Sequence, residues 1–240
     1  MRNIYVLVAA LFIGFAANAQ ETAKKKTGFL SRSQKANDHF MFQVGGNMWS
    51  GKPDSIKTKN LGRDMNAYFM FDFPFKTNNH LSVGIGIGFG SSSVFFDKGS
   101  VDIAGNSSKL VFRNLDSANH YKRYKLAVTY LEAPVEIRYL MNPERADRSF
   151  KVALGAKVGT ILDVHTRAKE LRDKNDNVIN DVVVKEKQKK YFNAQRLSLT
   201  ARIGWGNFSL YGQYQVNGLL KDGMGAVIRP YTLGLTLSGL

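Results

Sequence analysis

From Leu81 to Phe89 the chain alternates strictly. Leu81, Val83, Ile85, Ile87 and Phe89 fall on one face of an extended segment, and Ser82, Gly84, Gly86 and Gly88 on the other. The same period of two runs through Ala67–Phe75, where Ala67, Phe69, Phe71, Phe73 and Phe75 oppose Tyr68, Met70, Asp72 and Pro74. In Tyr130–Leu140, Leu131, Ala133, Val135, Ile137 and Tyr139 oppose Glu132, Pro134, Glu136 and Arg138. Side chains of a strand point alternately to its two faces, so this period predicts strands. Eight are predicted: His39–Trp49, Met65–Phe75, Leu81–Phe96, Tyr124–Met141, Phe150–Val164, Tyr191–Trp205, Phe208–Asn217 and Val227–Leu240. Each matches or exceeds the roughly 9–11 residues that a tilted strand needs to cross a bilayer.

Alternation does not say which face is inside. A soluble sandwich buries its apolar face, whereas a transmembrane barrel turns it toward lipid and fills its lumen with polar and small residues. The connections arbitrate. Ser50–Asp64, Asp97–Arg123 and His165–Lys190 are long, and Gly218–Ala226 is intermediate. Lys76–His80, Asn142–Ser149 and the two-residue turn Gly206-Asn207 are short. With both termini periplasmic, every short connection falls on the periplasmic side and every longer one outside, as in outer-membrane barrels. A soluble sandwich has no reason to segregate its loops in this way. The expected fold is all-β: an eight-stranded antiparallel up-and-down transmembrane β-barrel.

The N-terminus fits that destination. Arg2, the apolar stretch Ile4–Phe15 and the small residues of Ala17-Asn18-Ala19 read as a signal peptide over 1–19. Residues 20–38 are polar and basic and read as a flexible periplasmic tail, leaving 39–240 as the barrel domain. The chain contains no cysteine, which excludes a disulfide scaffold, thiolate metal sites and a lipid anchor through Cys.

Parity then assigns the lumen. Gln43, Asn47, Asp72, Glu132, Glu136, Arg138, Lys151, Lys157, Asp163, Arg196 and Arg202 are expected to point inward. An eight-stranded barrel is only wide enough for side chains to fill, and isolated buried charges are costly. Acids and bases are therefore expected to pair in a closed polar network, with Asp72, Glu132, Glu136, Arg138, Lys157, Arg196 and Arg202 as its members. Gly84, Gly86 and Gly88 lie within a strand and make room for bulky lumen neighbours such as Tyr68 or Arg side chains. Trp49, Tyr121, Tyr139, Trp205, Tyr211 and Tyr231 sit near strand ends as candidates for interfacial girdles, although Tyr211 has inward parity.

The formal charge is +15, or +14 without the signal peptide. Much of it is in the outer connections: His165–Lys190 carries eight Lys/Arg against five Asp/Glu. No nucleic-acid motif accompanies it. The expected partners are outer-membrane lipid and, at the basic loop bases, the phosphates of lipopolysaccharide. No cofactor, metal site or catalytic group is expected. The four histidines (His39, His80, His120, His165) form no HExxH-type pair. His80 and Ser82 have the His-x-Ser spacing of lipid A deacylase barrels but fall at a periplasmic turn. His120 and His165 lie beside Asp116 and Asp163 in outer loops, as an omptin-like protease would require, but that enzyme needs ten strands.

The stretch Tyr130-Leu131-Glu132-Ala133-Pro134-Val135 resembles the Tyr-Leu-Glu-x-Pro strand of the PorT-like outer-membrane β-barrel family. The resemblance implies an outer-membrane barrel and, from the name-giving member, a role in supporting type IX protein secretion. Two readings follow: a non-enzymatic barrel with a structural or interaction role at the cell surface, and an accessory of a secretion machine that docks through its periplasmic tail or turns.

Overall fold

The computed structural model describes residues 40–54, 56–59 and 61–238. The expected signal peptide (1–19), the tail (20–38), His39 and the last two residues lie outside the described residues. Eleven strands are described: β1 (Phe40–Ser50), β2 (Gly62–Pro74), β3 (Leu81–Phe96), β4 (Gly99–Asp102), β5 (Val111–Asn114), β6 (His120–Leu140), β7 (Phe150–Arg172), β8 (Val178–Lys187), β9 (Gln195–Trp205), β10 (Phe208–Gln215) and β11 (Arg229–Ser238).

Eight of them close a ring. The order β6-β3-β2-β1-β11-β10-β9-β7 is antiparallel throughout, and β6 pairs with β7 to complete it. The first and last strands meet with Met41 opposite Ser238 and Ser50 opposite Arg229. Closure leaves no free edge within the ring, a condition for strands in lipid. The remaining three strands belong to the outer connections. β4 and β5 form a separate ribbon, and β8 adds to the upper part of β7 from His165 to Arg172.

Burial reverses that of a soluble sandwich. On β2, Asp64, Asn66, Tyr68 and Met70 are buried, while Met65 and Phe69 are exposed. On β9, Arg196, Ser198, Thr200 and Arg202 are buried between exposed Leu197, Leu199 and Ile203. The apolar face looks outward into lipid and the polar face fills the lumen. Gly84, Gly86 and Gly88 of β3 give the lumen its space. A Cβ at Gly84 would lie 2.6 Å from Arg138 Cζ, and one at Gly86 2.3 Å from Met70 Sδ. At Gly88 the obstacle is backbone, with Ala67 O at 2.0 Å.

Three short turns close the periplasmic end. Gly206 takes φ +56° in the two-residue turn between Trp205 and Phe208. The β6–β7 connection carries a 3-10 segment, Pro143–Arg148, capped by Asn142, whose side chain accepts from Glu144 N.

The outer part departs from expectation. β6 and β7 run to 21 and 23 residues, far beyond what a bilayer needs. The 165–190 connection is therefore mostly strand, turning at Asp173–Asn177. β7 also carries a bulge: Thr129 faces Asp163 and Tyr130 faces Ile161, so Leu162 is an extra residue. A bulge shifts the alternation by one. Below it Lys157 and Gly159 are buried, and above it Val164, Thr166 and Ala168 are.

Candidate functional site

The lumen holds two linked ionic groups. In the lower one, Arg138 lies between Asp72 (3.5 Å) and Glu136 (3.1 Å), and Arg202 Nη2 donates to the same Glu136 oxygen at 2.6 Å. Ser82 Oγ donates to Asp72 at 2.8 Å. In the upper one, Arg196 Nη1 donates to Glu132 Oε1 at 3.1 Å, and the Tyr68 hydroxyl donates to Glu132 Oε2. Lys157 Nζ donates to Gln43 Oε1 (2.7 Å), the Tyr68 hydroxyl (3.0 Å) and Gln213 Oε1 (3.0 Å), and it faces the Tyr68 ring at 4.7 Å. Arg196 lies over Tyr130 at 4.8 Å. All of these except Asp72 and Ser82 are buried.

The structure thus brings together Asp72, Glu136, Arg138 and Arg202 in one group, and Glu132, Lys157 and Arg196 in the other. Lys151 is half-buried at the periplasmic end. Asp163 is a correction. Parity points it inward, but the bulge at Leu162 turns it out, where it pairs with His165 (2.7 Å) and Lys187 (3.1 Å). A fourth lumen carboxylate, missed in the sequence, is Asp64. It accepts from Ser92 Oγ (2.6 Å), Asn66 Nδ2 (3.1 Å) and the Tyr211 hydroxyl (3.3 Å). The signal was present. The alternation through Asn66, Tyr68 and Met70 reaches Asp64 once β2 is begun at Gly62 instead of Met65. With Asp64 counted, four carboxylates face Arg138, Lys157, Arg196 and Arg202, a balanced set.

Above the network the lumen turns apolar. Val94, Phe96, Leu126 and Val128 from the ring, Val101, Ile103 and Leu110 from the 97–119 connection, and Tyr191, Phe192, Leu219, Leu220 and Ile228 from other connections are all buried at 5% exposure or less. Most join one continuous cluster that plugs the outer mouth. Between plug and network, a gap lined by Asn47, Tyr130, Arg196 and Gln215 measures about 10 Å³, space for roughly one water. The plug was not visible as a separate layer in the sequence, because its residues come from six different stretches of chain.

Two girdle candidates belong to this plug: Trp49 packs on Phe96 with ring centroids 5.9 Å apart, and Tyr121 packs beside Tyr124. Tyr211 follows its inward parity and is buried in the lumen, so it does not belong to a girdle. Tyr139, Trp205 and Tyr231 are exposed, the first two at the periplasmic rim.

The outer connections are tied by ion pairs. Asp176 accepts from His120 Nε2 (2.9 Å) and Lys98 (3.2 Å), and these bonds hold its carboxyl below the usual range. Lys57 reaches Asp116 at 3.0 Å and lowers it likewise. Asp173 is lowered by N–H donors from Asn177 and Asn175 within its own turn. The histidines are thereby dispersed. His80 bonds Leu140 O at 2.9 Å at the periplasmic rim, His120 pairs with Asp176, and His165 pairs with Asp163. Among the described residues, no three His, Asp or Glu side chains are grouped to hold a metal.

An outer membrane protein beta-barrel domain model matches residues 18–220. No curated protein matches the chain. Similar solved structures include two of the outer membrane protein Ail of Yersinia pestis. One, Ail with the heparin analogue sucrose octasulfate, is 14% identical and covers 82% of this chain and 95% of its own, with a TM-score of 0.35. The other, Ail in a phospholipid bilayer nanodisc, is 16% identical, with 83% and 98% covered and a TM-score of 0.31.

Proposed function

This chain belongs to the outer membrane protein β-barrel domain family, and from that premise we propose that it is a closed, non-enzymatic barrel acting at the cell surface as a structural or interaction protein. Its place is the outer membrane. The observation that supports a closed barrel is the filled lumen: a paired ionic network below and an apolar plug above, separated by a gap of about one water. Ions crossing it would have to break buried pairs and then pass through hydrocarbon, both costly. The interaction surface is the part beyond the bilayer, formed by the β4–β5 ribbon and the β7–β8 hairpin. Residues 1–19 serve export, and 20–38 form the periplasmic tail. Outer-membrane lipid surrounds the barrel, and lipopolysaccharide is the anionic partner suited to its basic outer part. Full-length mature protein refolded into planar bilayers tests closure. The expected result is no conductance steps, and discrete, salt-dependent steps would overturn it.

The Tyr130–Val135 stretch supports a second reading, membership of the PorT-like group and a role as accessory to a type IX-like secretion machine. A comparison of secreted proteomes between a deletion strain and its parent tests it. Loss of cargo from the medium with accumulation in the periplasm supports the accessory role, and an unchanged secretome removes it.

A further inference from the structure

The outer continuation of the barrel wall carries a row of cations with nothing opposite in sign. On the lipid-side face, Lys125 of β6 stands directly opposite Arg167 of β7, and Arg167 directly opposite Lys185 of β8. On the other side of Lys125 its partner is Phe95 of β3, and the Arg63 guanidinium of β2 lies 5.5 Å from that ring. One step outward, Arg123 faces Lys169. None of these six cations has an acidic group within ion-pair distance among the described residues. The two acids of β7 on either side of Arg167 are engaged elsewhere: Asp163 with His165 and Lys187, Glu170 with Lys122 and Arg172. Arg63, Arg167 and Lys185 all act electrostatically on Lys125.

Like charges directly opposite across a ladder sit about 5 Å apart and destabilise the sheet. Three in succession across adjacent strands is an arrangement that calls for a polyanion. The height of the row identifies which one. Tyr139 at the periplasmic rim and Lys125 are fourteen residues apart on β6. With about 3.3 Å per residue and a tilt near 40°, that is roughly 35 Å along the membrane normal, against an apolar band of about 25 Å. The row therefore stands on the order of 10 Å outside the hydrocarbon, facing sideways into the headgroup layer, where long basic side chains also reach back toward the acyl boundary.

We propose that the outward faces of β2, β6, β7 and β8 form a binding site for the phosphate groups at the base of outer-leaflet lipopolysaccharide, built on Arg63, Lys125, Arg167 and Lys185. This rests on the reading of lipopolysaccharide as a partner and moves the site from the loops to the strand faces. Each Lys or Arg near an anionic surface contributes about fivefold in affinity, so neutralising two is worth on the order of 30-fold. The test uses full-length mature protein in detergent, titrated with core-only lipopolysaccharide or with the same lipid stripped of its phosphates. Wild type should prefer the phosphorylated lipid, with an affinity that falls as salt rises. The Lys125→Gln/Arg167→Gln variant should lose on the order of 30-fold for that lipid alone. A Lys174→Gln/Lys189→Gln variant, changed only in the loops, should bind as wild type. In zwitterionic lipid the first variant should melt at or above the wild-type temperature, since removing like-charge neighbours relieves the fold. If wild type binds both lipids equally, lipopolysaccharide phosphate is not a partner and the underlying reading fails. If wild type discriminates but Lys125→Gln/Arg167→Gln binds unchanged, the partner stands and this site is refuted.

Discussion

The Glu132–Arg196 pair allows a quantitative test of how the lumen is held. The two side chains are 0% and 2% exposed and meet at 3.1 Å. At an effective dielectric of about 20, that separation gives a gross attraction of about 5 kcal/mol, most of which is offset by taking both ions out of water. Removing one partner forfeits the attraction but keeps the desolvation of the other. Arg196→Met leaves Glu132 with only the Tyr68 hydroxyl and also ends the stacking on Tyr130, so it should cost about 3–5 kcal/mol. Glu132→Met strands Arg196 in the same way. The double variant strands neither charge and leaves chiefly the Tyr68 hydroxyl without its acceptor, a loss of about 1–3 kcal/mol. The cycle should therefore be non-additive by at least about 2 kcal/mol, the double variant being less destabilised than the sum of the singles. Reversible urea unfolding of the protein refolded in phospholipid vesicles measures all four corners. Additivity within about 0.5 kcal/mol, or a single-variant cost below about 1 kcal/mol, would show that the pair is not the buried, coupled unit described above.

Gly88→Val should be strongly destabilising, by about 3 kcal/mol, because its Cβ would meet Ala67 O at 2.0 Å and backbone cannot step aside. Gly212→Ala, whose Cβ meets only Leu233 Cδ2 at 3.5 Å, should be near neutral, and gel-shift assays of folded barrel distinguish the two. The only two tryptophans of the chain are Trp49 in the plug and Trp205 at the lipid-facing rim. Brominated lipids should quench the wild type but not Trp205→Phe, and strong quenching of that variant would place Trp49 in contact with lipid instead of in the plug. In the outer turn, carboxyl NMR should find Asp176 titrating below the usual value near 3.9, since His120 and Lys98 favour its charged form. Because that value is depressed on folding, the stabilisation is present above the unfolded carboxylate range and is lost as pH falls through the folded value. A titration at or above the usual value would mean that the tie is absent.

Period-two alternation together with loop lengths made the eight-strand ring legible, because lipid imposes one rule on the outer face of every strand. What escaped was where that rule stops. Beyond the bilayer nothing apolar has to face outward, so β7 continues through Thr166, Arg167 and Ala168 without the regular contrast that marks its lower half, and β8 reads as loop. Asp64 was lost at a strand boundary and Asp163 to a one-residue bulge, and neither event changes composition. The lower ionic group, by contrast, was readable by parity alone, since Asp72, Glu136, Arg138 and Arg202 lie on strands that stay in phase. The plug was illegible for a different reason: Ile56, Ile103, Leu110, Tyr191 and Leu220 are neighbours only once the barrel has closed.

The extra residue at Leu162 separates two reading frames on one strand. Below it, alternation answers to lipid on one side and to the ionic lumen on the other. Above it, alternation answers to the polar surroundings beyond the hydrocarbon on one side and to the apolar plug, which Val164 and Ala168 join, on the other. A one-residue gain or loss at that height would exchange the visible and hidden faces of the whole surface hairpin in one step, bringing Val164, Thr166 and Ala168 outward and taking Arg167 in, while every membrane-embedded position kept its frame. The bulge is therefore the point at which the facing of the exterior hairpin is set separately from that of the barrel beneath.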